Sequence, residues 1–410
     1  MADIKQEATV IVGGGHAAGT LLTLLLQKKW PHELLLVGDE PHPPYQRPHL
    51  SKEFLARKVD RESLYLKPRS VYENAGFQLR LGERVEHIDR ANRIIRLSDQ
   101  STLGYGRLVL ATGSRVRRLK VPGADLQGIH YLRGIADTEA LRDRFSPGQR
   151  LVIVGGGFIG LEVAAVAAEQ GLKVTVLETA DRLMQRVTGP EISAFFLAKH
   201  RRAGVDVCLD TAVVGFAPGN NGHVAGVAVA DGRLVPADVV LVSIGIVPET
   251  ALAEAAGLPC DDGILVDEYA RTVDPAILSI GDCTRHRNLF FEQPQRMESV
   301  ANAVDQARTA AATLAGDAKP YDAVPWFWSN QYDARLQMVG LSKDHDRRVV
   351  RGNPADGVFS VFYLREGHLI AVDSVNLPMA FLVGKKLVCE RRKVNAEALI
   401  DPDFELKSLI

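Results

Sequence analysis

Two stretches of the chain repeat one hydrophobic pattern. VIVGGGHAAGT begins at Val10 and VIVGGGFIGLE begins at Val152, and in each an apolar run gives way to a glycine turn and then to a helical segment. The short runs TVIV and LVIV that end at these glycines are typical of a parallel strand that is covered on both faces. The pattern therefore predicts the same strand, loop and helix at two places in the chain.

Small residues have the same spacing in both loops. They are Gly13, Gly15 and Ala18 in the first loop and Gly155, Gly157 and Gly160 in the second. The first glycine permits a tight turn, the second lets backbone approach a pyrophosphate, and the third small residue lets the helix pack on the strand. The start of each helix then offers free N–H groups and a positive dipole end to phosphate groups.

An acidic residue follows the second predicted strand of each repeat. LLLVGD ends at Asp39 and VTVLE ends at Glu178, where a carboxylate can hydrogen-bond a ribose diol. A single glycine motif is weak evidence, but two complete strand–helix–strand patterns with their acids are not expected by chance. The sequence therefore predicts two dinucleotide sites.

Two more elements are indicated farther along the chain. Residues 298–315 are rich in alanine and end before Gly316, which predicts a helix. VFSVFYL and LIAVDSV flank the short segment REGH, which predicts a β-hairpin in the last part of the chain.

Composition narrows the class of protein. The 410 residues are 46% hydrophobic and 24% charged, which suits two or three soluble globular domains. A formal net charge of -1 provides no general attraction for nucleic acid or for an anionic membrane. The start, MADIKQEATV, is not a secretory signal, and the apolar run LLTLLL is too short to span a bilayer. We expect a cytoplasmic protein that binds neither nucleic acid nor membrane.

The four cysteines are widely scattered. They are Cys208, Cys260, Cys283 and Cys389. No CxxC pair and no metal-ligand spacing occurs among them, so we expect reduced, mostly buried thiols and no metal site.

The order of motifs resembles a known family. RLVLATGS lies between the two glycine loops, and PAILSIGDC follows the second loop. This order resembles the glutathione-reductase-like pyridine nucleotide oxidoreductases. The resemblance implies an α/β fold with two Rossmann-like domains and an α+β carboxy-terminal domain. It further implies that the first loop binds FAD, that the second binds NAD(P)H, and that Asp282 binds the ribityl chain.

One branch of that family is a closer match. The disulfide reductases and the peroxidase and oxidase branch carry a redox cysteine after the first ribose acid, where this chain has PPYQRPHLSKEFL without a cysteine. That segment resembles the RPxLSK segment of the oxygenase-coupled NADH–ferredoxin reductases, as do GGGFIGLEVA, DGILVDEYART and PWFWSNQYD. The resemblance implies a [2Fe-2S] ferredoxin, Rieske-type or vertebrate-type, as electron acceptor. It also implies a terminal oxygenase downstream, either a Rieske aromatic-ring dioxygenase or a haem monooxygenase, in aromatic hydrocarbon catabolism.

Cofactor-binding positions follow from the same resemblance. On the FAD side they are Gly13, Gly15, Ala17, Asp39, Lys52, Val85, Thr112, Gly113, Arg133, Asp282 and Val300. On the NADH side they are Gly155, Gly157, Phe158, Ile159, Gly160, Glu178 and Gly245. His16, in the first loop, has no role assigned by the resemblance.

Three residues are expected to act on the redox chemistry. By resemblance, Lys52 lies near flavin N5 with Glu162 as its ion-pair partner, and Trp328 covers the nicotinamide side of the ring. The helix at 298–315 is expected to point its N-terminus at the N1–C2=O edge of the flavin. The structural alternatives are a surface ion pair, a core tryptophan and a core helix.

Glu178 also bears on the choice of nicotinamide cofactor. The 2′-phosphate of NADPH would face its carboxylate, and two unit charges about 4 Å apart repel by about 4 kcal/mol at an effective dielectric constant near 20. Partial exposure reduces this repulsion to about 1–3 kcal/mol. We therefore expect NADH to be preferred, with Arg182 as a cation that could weaken the rejection of NADPH.

The motifs divide the chain into three domains. We expect a discontinuous FAD domain at 1–114 and 246–324, an NADH domain at 115–245 and a carboxy-terminal domain at 325–410. Two other functions are alternatives to a ferredoxin reductase. One is an NADH oxidase or quinone reductase, and the other is a non-catalytic flavoprotein like the apoptosis-inducing-factor group.

Two basic clusters are candidates for docking an acidic ferredoxin, or are ordinary charged surface. One consists of Arg115, Arg117, Arg118 and Lys120, and the other of Lys385, Lys386, Arg391, Arg392 and Lys393.

Overall fold

A computed structural model describes residues 7–74, 76–288, 290 and 294–410. Helices and strands are interspersed along the chain. The helices are α1 (His16–Gln27), α2 (Arg69–Asn74), α3 (Ile135–Arg142), α4 (Phe158–Glu169), α5 (Pro190–Arg202), α6 (Ala251–Ala255), α7 (Val300–Leu314), α8 (Pro378–Cys389) and α9 (Ala396–Ile400).

The strands are short, as is usual in sheets that carry connecting helices and loops. They are β1 (Thr9–Val12), β2 (Leu34–Gly38), β3 (Gln78–Leu81), β4 (Val85–Asp89), β5 (Ile94–Leu97), β6 (Thr102–Gly104), β7 (Arg107–Leu110), β8 (Ser114–Val116), β9 (Ile129–His130), β10 (Arg150–Val154), β11 (Lys173–Leu177), β12 (Asp206–Cys208), β13 (Val213–Pro218), β14 (Val224–Val229), β15 (Leu234–Pro236), β16 (Val239–Val242), β17 (Ile246–Pro248), β18 (Ile264–Val266), β19 (Ile277–Ser279), β20 (Thr284–His286), β21 (Trp326–Gln331), β22 (Ala334–Gly340), β23 (Arg347–Asn353), β24 (Val358–Arg365) and β25 (His368–Val375).

The chain separates into two compact units. The first consists of Met1–Arg47, Asp60–Arg115 and Val247–Ala323, and the second of Pro48–Val59, Val116–Ile246 and Val324–Ile410. The short segment Pro48–Val59 thus packs with the later parts of the chain, although it precedes them by far in sequence. The division into three functional domains stays a prediction.

A five-stranded parallel sheet forms the centre of the first unit, in the order β19-β7-β1-β2-β3. All four residues of β1 are buried, because β1 is the middle strand and is covered on both faces. Its register pairs Thr9 with Leu34 on one side and with Arg107 on the other. The carboxyl ends of β1, β2 and β7 therefore meet at one edge, where the first glycine loop lies.

The second unit repeats this arrangement with different strands. Its parallel sheet has the order β12-β11-β10-β16-β9, with β10 in the middle. The antiparallel sheet β13-β14-β15 packs on it, and Phe216 and Val227 share a core cluster with Val152 and Val240. The predicted α/β class with two Rossmann-like sheets is confirmed.

A third large sheet, β21-β22-β25-β24-β23, is antiparallel and belongs to the second unit. Helix α8 packs on β25 and β22. The predicted hairpin is confirmed as β24 and β25, which pair Arg365 with His368 around a two-residue turn. Glu366 and Gly367 in that turn both have positive φ, at 51° and 78°. Two such residues match the twist of the flanking strands, so the strands run one residue farther at each end than REGH suggested.

The predicted alanine-rich helix is confirmed as α7 with corrected ends. It begins at Val300 rather than at Glu298, because Ser299 is extended and its hydroxyl accepts a hydrogen bond from the backbone N–H of Asn302 at 3.0 Å. That contact is a helix N-cap. Within the part of the chain that the structure describes, no helix is both long and apolar enough to cross a membrane.

Candidate functional site

The first glycine loop has the geometry that a dinucleotide requires. Gly13 has φ +116°, and a Cβ at this position would lie 2.2 Å from the carbonyl oxygen of Ala111. A Cβ at Gly15 would meet nothing within 4 Å, so space is open beside the loop. Helix α1 begins at His16, and no side chain caps its first turn. Its N–H groups and dipole are thus available to a phosphate.

Asp282 lies beside the same loop. A Cβ added at Gly281 would approach the Cβ of Ala17 to 3.2 Å, which places the Gly281–Asp282 turn next to the first turn of α1. The hydroxyl of Ser114 donates to Asp282 Oδ2 at 3.2 Å. The first unit thus brings Gly13, Ala17 and Asp282 together, as the assignment to one cofactor requires.

Four other predicted FAD positions belong to the same unit. Thr112 and Gly113 follow β7, and the Thr112 hydroxyl donates to the carbonyl oxygen of Glu249 at 2.6 Å. Val300 is the first residue of α7. Val85 is buried in a core cluster with Leu97. Their contacts with FAD remain predictions.

Three more predicted positions complete the FAD set. Asp39 follows β2 with its side chain 60% exposed, and its nearest cation is Arg84 at 3.9 Å. Lys52 and Arg133 belong to the second unit, unlike the rest of the set.

Gln306, which the sequence interpretation missed, ties α7 to the Asp282 turn. Its Oε1 accepts the N–H of Gly281 at 2.5 Å, and its Nε2 lies 2.9 Å from Nδ1 of His286. The side chain is only 2% exposed. The available signal in the sequence was a glutamine among the alanines of the predicted helix.

The second glycine loop has the same backbone geometry as the first. Gly155 has φ +110°, and a Cβ there would lie 2.3 Å from the carbonyl oxygen of Ser243. A Cβ at Gly157 would meet nothing within 4 Å, whereas one at Gly160 would lie 2.4 Å from the carbonyl oxygen of Gly155. Helix α4 begins at Phe158 without a side-chain cap. The loop therefore fits a second dinucleotide, again through backbone N–H groups.

Two predicted NADH positions next to this loop differ in their surroundings. Ile159 is 41% exposed. Phe158 packs against Phe327, with ring centroids 4.6 Å apart and the ring planes tilted by 35°. Phe327 is a further residue that the sequence interpretation missed, although it lies within the WFWS motif.

Glu178 is held against the second loop. Its Oε2 accepts the N–H of Gly156 at 2.6 Å, and its Oε1 accepts the N–H of Ala180 at 2.8 Å. Arg182 does not pair with it, because its guanidinium donates to the carbonyl oxygens of Thr188 and Gln185 and to the hydroxyl of Ser193. The structure thus gives no support to Arg182 as the cation that weakens rejection of a 2′-phosphate.

A different cation, Arg186, lies beside another predicted NADH position, Gly245. Gly245 has φ +100°, and a Cβ there would lie 3.5 Å from Nη2 of Arg186.

The predicted ion pair is confirmed within the second unit. Lys52 Nζ lies 2.6 Å from Glu162 Oε2, and the two side chains are only 12% and 4% exposed. Lys52 also donates to the carbonyl oxygen of Pro48 at 2.9 Å, and the Ser51 hydroxyl donates to Glu162 Oε2 at 2.5 Å. Burying two charges costs free energy that their attraction seldom recovers in full. The pair is therefore poorly explained by stability alone.

Ser329 completes the surroundings of Glu162 and was not predicted. Its hydroxyl donates to Glu162 Oε1 at 2.6 Å. Along β21, alternation directs Phe327 and Ser329 to one face of the strand. Trp328 instead stacks on Trp326 at 5.4 Å, and Trp326 contacts Phe381 of α8. The role of Trp328 beside the nicotinamide remains a prediction.

The cysteines correct one expectation. Only Cys283 is fully buried, whereas Cys208 and Cys260 are half-buried and Cys389 is exposed. Burial raises the pKa of Cys283 and raises the pKa of Cys260 to about 11. These two thiols therefore stay protonated near neutral pH and are poor nucleophiles.

Comparison with known proteins covers nearly the whole chain. The pyridine nucleotide-disulphide oxidoreductase model matches residues 7–307, and the Reductase C-terminal model matches residues 326–410. The chain is 45% identical to a 5,5'-dehydrodivanillate O-demethylase ferredoxin reductase subunit of Sphingobium sp., over 98% of this chain and 97% of that protein. It is 43% identical to putidaredoxin reductase of Pseudomonas putida, over 99% and 97% of the two chains.

A solved structure gives the same result. The crystal structure of the covalent putidaredoxin reductase–putidaredoxin complex contains a chain that superposes with a TM-score of 0.96 at 42% identity, over 98% of each chain. The two dinucleotide loops, the buried Lys52–Glu162 pair and these matches lead to one assignment. The chain belongs to the pyridine nucleotide-disulphide oxidoreductase family and carries that family's Reductase C-terminal domain at its end.

Proposed function

We propose that the protein is an FAD-dependent NADH–ferredoxin reductase, which passes electrons one at a time to a [2Fe-2S] ferredoxin that serves an oxygenase in the cytoplasm. The observation that carries the proposal is the buried Lys52–Glu162 pair in a chain with two complete dinucleotide loops. The names of the relatives support it, since they are ferredoxin and putidaredoxin reductases.

The chemistry requires a cofactor between donor and acceptor. NADH gives up a hydride, whereas an iron–sulfur centre accepts single electrons, and a bound flavin exchanges either. The protein binds and orients the reactants. The start of α1 and the carboxylate of Asp282 would hold FAD, and the start of α4 and Glu178 would hold NADH.

Lys52 is the residue proposed to act on the flavin. When FAD is bound, the Lys52 ammonium would stabilise negative charge on the reduced flavin, and Glu162 would fix the position of that ammonium. The N-terminus of α7 is proposed to do the same at the N1–C2=O edge through its dipole. Because Cys260 and Cys283 stay protonated, no thiolate from these two residues takes part.

The ferredoxin is proposed to dock on α8 and the basic residues that follow it. On α8, Leu382 and Lys386 lie exposed one turn apart. Lys385 lies over the ring of Trp326 at 5.1 Å, and Trp326 stacks on Trp328. Each basic cluster has one arginine paired with a glutamate, Arg115 with Glu249 at 3.4 Å and Arg392 with Glu390 at 3.1 Å, so ion pairing does not distinguish the two clusters. We favour the α8 surface, defined by Lys385, Lys386, Arg391, Arg392 and Lys393, because the exposed apolar side chain of Leu382 lies beside its lysines.

The decisive experiment is reduction of cytochrome c by NADH with and without an added [2Fe-2S] ferredoxin. A ferredoxin reductase is slow with cytochrome c until the ferredoxin is supplied. An NADH oxidase instead consumes oxygen without it, and a quinone reductase reduces quinones at a comparable rate. A purified, folded protein that lacks FAD would contradict all three functions, the ferredoxin reductase, the NADH oxidase and the quinone reductase.

The identity of the downstream enzyme is a separate question for the same preparation. We propose an oxygenase, because one relative is named as a subunit of an O-demethylase and another as part of an anthranilate dioxygenase system. Reconstitution with a Rieske-type and with a vertebrate-type ferredoxin distinguishes a Rieske dioxygenase from a haem monooxygenase. The class of the downstream oxygenase is identified by which of the two ferredoxins is reduced faster.

A further inference from the structure

A continuous line of polar side chains crosses the interior of the second unit. Glu162 on α4 is in contact with Ser329 on β21 at 2.6 Å, and Gln331 Nε2 lies 3.2 Å from the Ser329 hydroxyl. Gln331 Oε1 lies 2.9 Å from Nε2 of His200 on α5. None of these four side chains is more than 4% exposed. Polar groups that are buried this deeply are kept only where each has a partner.

The chemistry of the groups sets one direction for every hydrogen bond. A carboxylate only accepts, so the Ser329 hydroxyl donates to Glu162. The amide of Gln331 then donates from Nε2 to Ser329 and accepts at Oε1 from the Nε2–H of His200. The other nitrogen of His200, Nδ1, is left as an acceptor for the hydroxyl of Tyr332 at 3.2 Å. Each donor thus points toward Glu162.

His200 is neutral in this arrangement. Burial lowers its pKa, and the positive charge of the neighbouring Lys199 lowers it further, while the hydrogen bond to Gln331 acts in the opposite sense. A neutral imidazole with Nε2–H is the tautomer that the chain needs, because Gln331 presents an oxygen to Nε2. His200 therefore has a defined protonation state, although it is distant in sequence from the glycine loops.

We propose that Ser329, Gln331 and His200 are positioning residues, which hold the Glu162 carboxylate charged and oriented so that it fixes the Lys52 ammonium. Hydrogen bonds to a charged acceptor are about twice as strong as neutral ones, and a line of aligned donors polarises its members in the same sense. The proposal rests on the proposed function only where it places Lys52 at the flavin.

The line does not serve to conduct protons. An amide lies in its middle, and the nitrogen of Gln331 keeps its hydrogens at neutral pH. A proton therefore cannot pass from Ser329 to His200 by hopping. The line acts through charge and orientation, so its mutants are expected to change the position and charge of Glu162 and not the transfer of a proton.

The first test removes the donor next to Glu162. In the holoenzyme, Ser329→Ala is expected to slow flavin reduction at saturating NADH about tenfold, because one charge-assisted hydrogen bond is lost. The apparent dissociation constant for NADH should change little, and the visible absorption band of the bound flavin should shift. Ser329→Thr keeps the hydroxyl and should restore both rate and spectrum.

A matched control is available on the same sheet. Ser360 is also fully buried, and its hydroxyl donates to Ser374 at 2.9 Å, away from Glu162. Ser360→Ala should leave the flavin spectrum and the reduction rate unchanged even if it lowers stability. Equal rate losses in Ser329→Ala and Ser360→Ala would overturn the proposal.

The second test acts at the far end of the line. His200→Phe should slow reduction about threefold, whereas His200→Gln retains a donor of similar reach and should behave like the wild type. In the Ser329→Ala background, His200→Phe should have no further effect, since the connection is already cut. Additive rate losses in the double variant would show that the two residues act separately and would overturn the proposal.

A third test does not depend on activity. Nitrogen-15 NMR of histidine-labelled holoenzyme should show His200 as the neutral Nε2–H tautomer from pH 6.5 to 8. A proton on Nδ1 alone would reverse the hydrogen bond with Gln331, and a proton on both nitrogens would make His200 a cation. Either result would refute the proposal. Failure of the proposed function is seen separately, in wild-type protein that lacks FAD or does not reduce ferredoxin.

Discussion

The two glycine loops have nearly the same backbone but hold their acids differently. The N–H of Gly13 donates to the carbonyl oxygen of Val37 and that of Gly155 to Leu177, both at 2.8 Å. Glu178, which is one methylene longer than Asp39, reaches back to the second loop and accepts a backbone N–H at 2.6 Å. Asp39 instead has a side chain that is 60% exposed. An acid that is fixed in advance costs little ordering when a ligand binds.

This difference suits two cofactors with different residence times. In the proposed assignment, FAD at the first loop stays bound through many turnovers and orders its own surroundings once. NADH at the second loop would enter and leave in each turnover, so a preformed contact between Glu178 and its ribose would lower the ordering cost every time. The comparison therefore predicts that damage to the first loop causes loss of bound FAD. Damage to the second loop should leave FAD bound but prevent its reduction by NADH.

The largest effect is expected from a methyl group at the first glycine of either loop. Gly13→Ala and Gly155→Ala each place a Cβ within 2.3 Å of a carbonyl oxygen, at a φ that alanine rarely adopts. Gly13→Ala should yield colourless protein. Gly155→Ala should retain FAD, but NADH should reduce it more than a hundredfold more slowly. Absorbance at 450 nm and stopped-flow reduction measure the two outcomes, and loss of FAD from both variants would show that the loops are not separate sites.

The acids provide the next contrast. Glu178→Ala should narrow the preference for NADH over NADPH by about tenfold to a hundredfold, because it removes about 1–3 kcal/mol of repulsion. Asp39→Ala, the matched change in the first loop, should leave that preference unaltered. The ratio of kcat/KM for the two cofactors decides the matter. A wild type that uses both equally would show that a cation such as Arg186 dominates the pocket.

A buried histidine of the first unit makes the stability of the protein depend on pH. Burial lowers the pKa of His286, in the first unit, to about 4. The unfolded chain, with an ordinary value of 6.5, therefore binds the proton more readily. The stabilisation is complete above pH 6.5 and is lost as the pH falls toward 4. Between pH 7 and pH 5 the loss amounts to about 2 kcal/mol.

His286→Gln tests this loss. The amide oxygen of glutamine can still accept from Gln306, but it does not titrate in this range. Urea denaturation midpoints at pH 7 and pH 5 should differ less in the variant than in the wild type. An unchanged difference would assign the acid sensitivity to other groups, with His200 of the second unit as the next to examine because burial lowers its pKa too.

Sequence reasoning found the parts of the site that local geometry dictates. Gly13 and Gly155 were identified because their turns need a positive φ, and the resemblance supplied the pairing of Lys52 with Glu162. The line from Glu162 to His200 was not found, because 131 residues separate His200 from its partner Gln331. His200 lies in the run KHRR, which is typical of a basic surface. Its position on the buried face of α5 became evident only from the structure.

The smallest effect that still discriminates concerns the ferredoxin. If the α8 surface is the dock, reversing Lys386 and Lys393 to Glu should lower the association rate about tenfold at low salt and less at high salt. The reason is that the screening length falls from about 8 Å at physiological ionic strength to about 3 Å at 1 M. Reduction of ferricyanide by NADH should stay unchanged, since both side chains are exposed and distant in sequence from the glycine loops. The matched control reverses Arg117 and Lys120, which are equally exposed in the other cluster. Salt-dependent loss in the control alone would move the dock to that cluster, and a rate indifferent to salt and to both reversals would show that apolar contacts, with Leu382 foremost, guide the ferredoxin.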